Sequence, residues 1–143
     1  MPIRGFTIMN NKYVQHMLDN DAFSQWLGIE VVDVDPGYCK LRMEVRQEMT
    51  NGFHVAHGGI AFSLADSALA FAANSYGRIA MSVENSINYT DKVLAGDKLI
   101  AVAEELSASN RIGHYRVSVM NQKSEYVAYF NGTVYRTKKE FDV

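Results

Sequence analysis

The sequence predicts an α+β domain in which one antiparallel sheet wraps a single long helix. Three observations carry this. Residues 60–76 form a run rich in Ala and Leu, free of Pro, with Gly77 at a C-cap position. Six other runs alternate apolar and polar residues, which is the strand period. The chain has 143 residues, of which 48% are hydrophobic, enough for one core and too few for two ordinary domains. With one long helix and about six strands, a sheet closed over that helix is the economical packing.

The elements come in this order. Residues 11–18 form a short helix and residues 22–27 a second, with Asp21 as its N-cap. The runs 28–34 and 38–46 alternate on either side of Asp35, Pro36 and Gly37, a hairpin signal. Residues 47–59 read as irregular chain, because Asn51-Gly52 and Gly58-Gly59 are turn pairs. After the long helix come strands at 79–89, 98–106, 113–121 and 126–136, with "SASNRIG" and "NQKSE" as turns. In the first of these, Ile79, Met81, Val83, Ile87 and Tyr89 fall on the apolar side. Ser82, Glu84, Ser86 and Asn88 fall on the polar side.

A formal net charge of −2 argues against nucleic acid or an anionic membrane as the main partner. The one cysteine, Cys39, alternates with polar neighbours alongside Leu41, Met43 and Val45, so it reads as a core side chain rather than a nucleophile. The first residues hold no long apolar run and no small-residue cleavage site. A single domain over 1–143 in a reduced, cytoplasmic setting is the expectation.

Wound at 3.6 residues per turn, the long helix has two narrow stripes. Ala61, Ala65, Ala68 and Ala72 make one of small residues, along which a backbone can come close. Ser63, Asp66, Ser67, Ala70 and Asn74 make the other. Phe62, Leu64, Leu69 and Phe71 fill the remaining faces, so the helix is apolar nearly all round and deeply packed. Two readings of Asp66 compete. Its stripe is either the wetted face of an amphipathic helix or the wall of a half-enclosed site at a subunit contact. The stripe lacks Lys, Arg and Glu, which counts against the first. A buried acid needs hydroxyl or amide neighbours to stay charged, and Ser63 and Ser67 are the candidates.

Gly58 and Gly59 lead directly into this helix. A helix start has unpaired N–H groups and the positive end of the dipole. Glycine there lets a ligand approach the backbone, and a bound carbonyl oxygen would be polarised as in an oxyanion hole. Asp66 lies roughly 12 Å farther along, at 1.5 Å per residue. One carbonyl cannot reach both groups within one helix, so a second copy of the chain is the natural source of the acid.

The stretch "NGFHVAHGGIAFSLADSALAFAANSYG", with "SVENSINYTDKVLAGD" after it, resembles the hotdog-fold acyl-CoA thioesterases of the phenylacetic acid degradation type. The resemblance runs from about residue 28 to 136. It implies a central helix inside an antiparallel sheet, protomers joined edge to edge in a homodimer with shared active sites, and dimers paired into a homotetramer. By this resemblance Asp66 is the nucleophile, or the general base on water, and the Gly58 N–H polarises the thioester carbonyl. His57 fixes the turn before it, and Asn51 orients the water or the carboxylate of the other protomer. Ser82 supplies a hydroxyl near the thioester. Coenzyme A contacts are implied at 89–94, at 107–112 and near Arg136, which makes Tyr89, Lys92, Arg111 and Arg136 the substrate-binding candidates. The three basic residues suit phosphates.

The implied substrate is an acyl-CoA with an aryl or medium-chain acyl group, and Phe53, Phe62, Tyr76 and Tyr89 are aromatic candidates for its pocket. Coenzyme A belongs to the substrate, and no cofactor is implied. His54 and His57 have i, i+3 spacing, but no Cys or further His cluster supports a metal, and none is expected. No G-x-S-x-G elbow and no Cys–His pair competes with Asp66. The alternatives are a hydroxyacyl dehydratase or hydratase with His54 or His57 as base, a non-catalytic acyl-CoA-binding protein, and a structural subunit without a ligand.

Overall fold

The computed structural model describes residues 10–143. Helix α1 spans Lys12–Asp19, α2 Ala22–Leu27 and α3 Gly58–Asn74, with a 3-10 turn at Gln47–Met49. The strands are β1 (Glu30–Asp35), β2 (Tyr38–Glu44), β3 (Arg78–Tyr89), β4 (Lys98–Ala108), β5 (Ile112–Met120) and β6 (Tyr126–Glu140). All pairs are antiparallel, in the order β1-β2-β4-β5-β6-β3. Helix α3 packs against β2, β3, β4, β5 and β6, so the sheet wraps it as the sequence predicts. Ala61, Ala65, Ala68 and Ala72 are all buried against the sheet. Cys39 is buried on β2 beside them, and burial pushes its thiol pKa up, as for an inert core side chain.

The short helices are set by their caps. The Asn11 side chain accepts from the Tyr13 and Val14 N–H groups, and Asp21 accepts from the Ser24 N–H. A contact of 2.8 Å between the Ser24 and Ser67 hydroxyls ties α2 to the outer side of α3.

Two boundaries differ from the sequence reading. Helix α3 begins at Gly58 rather than at residue 60, because His57 caps it: its Nδ1 accepts from the Gly59 N–H at 3.0 Å. That cap offsets the low helix propensity of two glycines. The helix ends at Asn74 rather than at 76, and the turn closes on Gly77, whose φ is +91°. A Cβ there would sit 2.5 Å from the Tyr13 ring, so the position requires glycine.

The larger correction is in β3. The strand carries a bulge between Ser82 and Glu84. One extra residue reverses the facing of the residues beyond it, so strict alternation fails. Met81 and Val83 are each 62% exposed instead of lying on a buried apolar side. Ser82 pairs with Val134 and Asn85 with Gly132, and both partners are buried on the helix side of the sheet.

Candidate active site

Asp66 is partly buried on α3, at the boundary with β3. It is half-buried rather than fully wetted. Its hydrogen-bond donor is Asn85, whose Nδ2 donates to Asp66 Oδ1 at 3.2 Å. Ser82 Oγ donates in turn to Asn85 Oδ1 at 2.7 Å. The expected donors, Ser63 and Ser67, do not fill this role. Ser67 is engaged with Ser24, because α2 covers that part of the stripe. Burial raises the Asp66 pKa above the usual carboxylate value; the Asn85 bond works against this, and the charge of Asp21 adds to it. Asn85 escapes a period-2 reading of the sequence. The signal for it is three successive polar residues, Glu84, Asn85 and Ser86, where alternation should place an apolar one.

The helix start is built by the loop before it. The Asn51 N–H donates to the Val55 carbonyl at 2.8 Å, and the His54 N–H donates to the Asn51 carbonyl at 3.0 Å. His54 takes the left-handed conformation, with φ +61°. Asn51 Oδ1 accepts from the Phe53 N–H at 2.9 Å, so Nδ2 is the group Asn51 can offer a ligand. His57 N–H is held by the Met49 carbonyl at 2.8 Å. With Nδ1 occupied as an acceptor, the neutral His57 ring carries its proton on Nε2. Gly58 is the first helical residue, and its N–H has no acceptor within the helix. Its carbonyl accepts from Tyr89 Oη at 2.7 Å, and a Cβ on Gly58 would stand 3.0 Å from that hydroxyl. Burial raises the Tyr89 pKa. Beside this tip lies a cavity of about 180 Å³, lined by His57, Gly58, Ala61, Tyr89, Lys92 and Val127 among others. His54 is not among its lining residues. Among the described residues, no three His, Cys, Asp or Glu side chains gather at a common point.

The remaining candidates lie elsewhere in the protomer. Arg136 pairs with Ala80 on β3, nine residues from Tyr89, or roughly 30 Å at the strand rise. Arg111 and Arg136 gather there with Arg78 around the 109–112 turn. Arg136 Nη1 donates to the Ser109 carbonyl at 2.7 Å, Arg111 Nη1 to the Arg136 carbonyl at 3.4 Å, and Arg78 Nη2 to the Asn110 carbonyl. Desolvation and the charges of Arg136 and Arg111 hold the Arg78 pKa below its usual value. Of the aromatic candidates, Tyr89 alone lines the cavity. Phe62 packs edge-on against Phe130 at 5.2 Å, Tyr76 donates to Glu105 at 3.1 Å, and Phe53 is 87% exposed. One chain therefore presents three separate groups: Asp66 with Asn85, the tip at Gly58, and the arginines.

Comparison with known proteins places the chain in a family. The model of the thioesterase superfamily matches residues 53–128, a span that contains Gly58, Asp66, Ser82 and Tyr89. The acyl-coenzyme A thioesterase PaaI of Escherichia coli is 38% identical over 120 residues, covering 84% of this chain and 86% of that protein. The structure of the E. coli PaaI protein from the phenylacetic acid degradation operon superposes with a TM-score of 0.88 at 35% identity, over 90% of this chain and 93% of that one. A Streptococcus mutans protein, solved bound to acetyl CoA, is similar at a TM-score of 0.76 and 27% identity, over 79% of this chain and 91% of that one. The chain belongs to the thioesterase superfamily and is a thioesterase of the hotdog fold.

Proposed function

We propose that the protein hydrolyses acyl-CoA thioesters in sites shared by two protomers paired along β3. The observation that carries this is the separation of the three groups within one chain. Asp66 and Gly58 stand eight residues apart on one helix, and the arginines lie at the opposite end of β3 from Tyr89 and Lys92. A two-fold axis through the free β3 edge would lay the Ala80 end of one strand beside the Tyr89 end of the other. Asp66 of one protomer then meets the Gly58 tip of its neighbour, and Arg111 and Arg136 join Lys92 around one coenzyme A. Pairing of such dimers gives the tetramer. The similarity to PaaI and to the acetyl CoA complex supports an acyl-CoA as substrate.

In this site the Gly58 N–H polarises the thioester carbonyl, and Asp66 either attacks its carbon or takes a proton from water that does. The tetrahedral adduct expels the coenzyme A thiolate. By the direct route an anhydride forms at Asp66 and water hydrolyses it. Both routes consume one water and give one acid and one thiol. Asn51 Nδ2 orients the water or the carboxylate, and a carboxylate lifted above its usual pKa is the stronger base. The cavity beside Gly58 suits an aryl or medium-chain acyl group: its volume of about 180 Å³ is comparable to the roughly 150 Å³ apolar cavity known to admit benzene.

The test is thiol release from a panel of phenylacetyl-, hydroxyphenylacetyl-, benzoyl-, short and long fatty acyl-CoA, with particle mass from light scattering. Turnover of aryl or medium-chain thioesters by a dimer or tetramer is expected. Hydration of enoyl-CoA without thiol release, or tight acyl-CoA binding without turnover, would replace this reading.

A further inference from the structure

We propose that Asn85 is the positioning residue for Asp66, and that the bulge at Val83 is the device that aims it. The inference rests on Asp66 being the reacting carboxylate. It adds a residue for which neither the family resemblance nor the comparisons supply a role.

An ionised carboxylate can only accept hydrogen bonds, so the amide beside it must turn its NH2 group toward Asp66. That leaves Asn85 Oδ1 facing Ser82, whose hydroxyl donates to it at 2.7 Å. The chain Ser82 to Asn85 to Asp66 therefore has one direction, and it fixes the amide without a flip. Its far end takes up Oδ1 of Asp66 at 3.2 Å, which leaves Oδ2 as the oxygen presented to water or the thioester.

The backbone is arranged for this contact. Without the bulge between Ser82 and Glu84, residues 82 and 85 would point to opposite faces of the sheet. Opposite Asn85 stands Gly132, where a Cβ would collide with Leu69 and come 2.7 Å from Asn85 Oδ1. A glycine there opens the space the amide occupies. The ionisable group on a neighbouring element that bears on Asp66 is Asp21 at the cap of α2, which opposes its charge. Asn85 on β3 is the donor that favours that charge.

The experiment compares the wild type with Asn85→Leu and Asn85→Asp, reading the pH profile of kcat/KM and the Asp66 carboxyl titration by carbon-13 NMR. Asn85→Leu keeps the bulk and loses the donor. Its kcat should fall about tenfold to a hundredfold, the usual worth of a bond to a charged group, with KM little changed. The acid limb and the Asp66 titration should both move to higher pH. Asn85→Asp keeps the shape and the Ser82 contact, so it answers the question even if Asn85→Leu does not fold. A second carboxylate there should move the paired titration upward as well. Folded variants with wild-type kcat and an unmoved Asp66 titration would overturn the proposal while the thioesterase reading stood. A wild type that releases no thiol from any acyl-CoA would remove that reading instead, and the titration would still decide the role of Asn85.

Discussion

The two edges of the sheet are built for different ends. Strand β1 has six residues and carries acidic side chains, with Glu30 paired to Arg42 at 2.6 Å. Strand β3 has twelve residues and leaves Met81 and Val83 exposed. Short, charged edges resist pairing with another chain, and long edges with apolar side chains invite it. Each edge also carries irregularities, at Val31/Asp33 in one and at Arg78/Ala80 and Ser82/Glu84 in the other. On β1 the bulge interrupts a short, acidic strand. On β3 the same irregularity turns Asn85 toward Asp66. A defect that guards one edge thus becomes a functional part of the other.

The comparison breaks first if Asp66, behind the β3 edge, proves dispensable. Asp66→Asn should lower thiol release by about 10²- to 10⁴-fold, the span expected of a lost base, with particle mass unchanged. Stability should move the other way. Burial lifts the folded pKa of Asp66, so the unfolded chain ionises more readily and the charge disfavours the fold above the unfolded value of about 3.9. The Asn variant should therefore melt higher than wild type at pH 7, with the gain shrinking as pH falls toward 4. A lower melting temperature at both pH values would show that burial does not penalise this charge.

The edges can also be exchanged in character. Met81→Lys with Val83→Lys should separate the protomers and reduce thiol release about a hundredfold, the scale of a misplaced reacting group. Val32→Lys on the β1 edge should leave mass and rate unchanged. Equal effects from the two edges would end the distinction between them.

Legibility in the sequence divides along the same line. Regular periods were legible: the body of the long helix, the β1–β2 hairpin, the Asp21 cap and the buried stripe from Ala61 to Ala72 all lie where spacing and turn chemistry place them. Asp66 stood out because its stripe lacks the Lys, Arg and Glu of an ordinary wetted helix face. Its partner was not legible, because Asn85 is a polar residue at a position alternation reserves for an apolar one, and the bulge brings Ser82 onto the same face. Ser63 and Ser67 are near Asp66 along the helix, but α2 engages Ser67, a tertiary fact that no helical wheel contains. The helix starts two residues before residue 60 because Gly58-Gly59, a turn pair by sequence, is drawn into the helix by the His57 side-chain cap.

A smaller test bears on the space behind Asn85. Gly132→Ala introduces a Cβ into Leu69 and against Asn85 Oδ1. Overpacking of this kind costs about 1–3 kcal/mol, measurable by denaturant unfolding. Its kcat should fall as well, because Asn85 must shift. A variant that loses stability and keeps full kcat would show that the amide tolerates displacement.

The smallest expected effect comes from α2. Asp21 sits on a different element from Asp66, yet its charge raises the Asp66 pKa. Asp21→Asn removes that charge and keeps a good N-cap, so the Ser24 N–H retains its acceptor and α2 its place. With one opposing charge gone, Asp66 ionises more readily, and the acid limb of kcat/KM should move to lower pH by less than about one unit. Glu30→Gln removes a carboxylate of the same charge from the β1 edge, where it faces Arg42 and solvent. It should leave the limb where it is. If both substitutions shift the limb alike, the electrostatics of the site depend on net charge rather than on which edge bears it, and Asp21 has no local role.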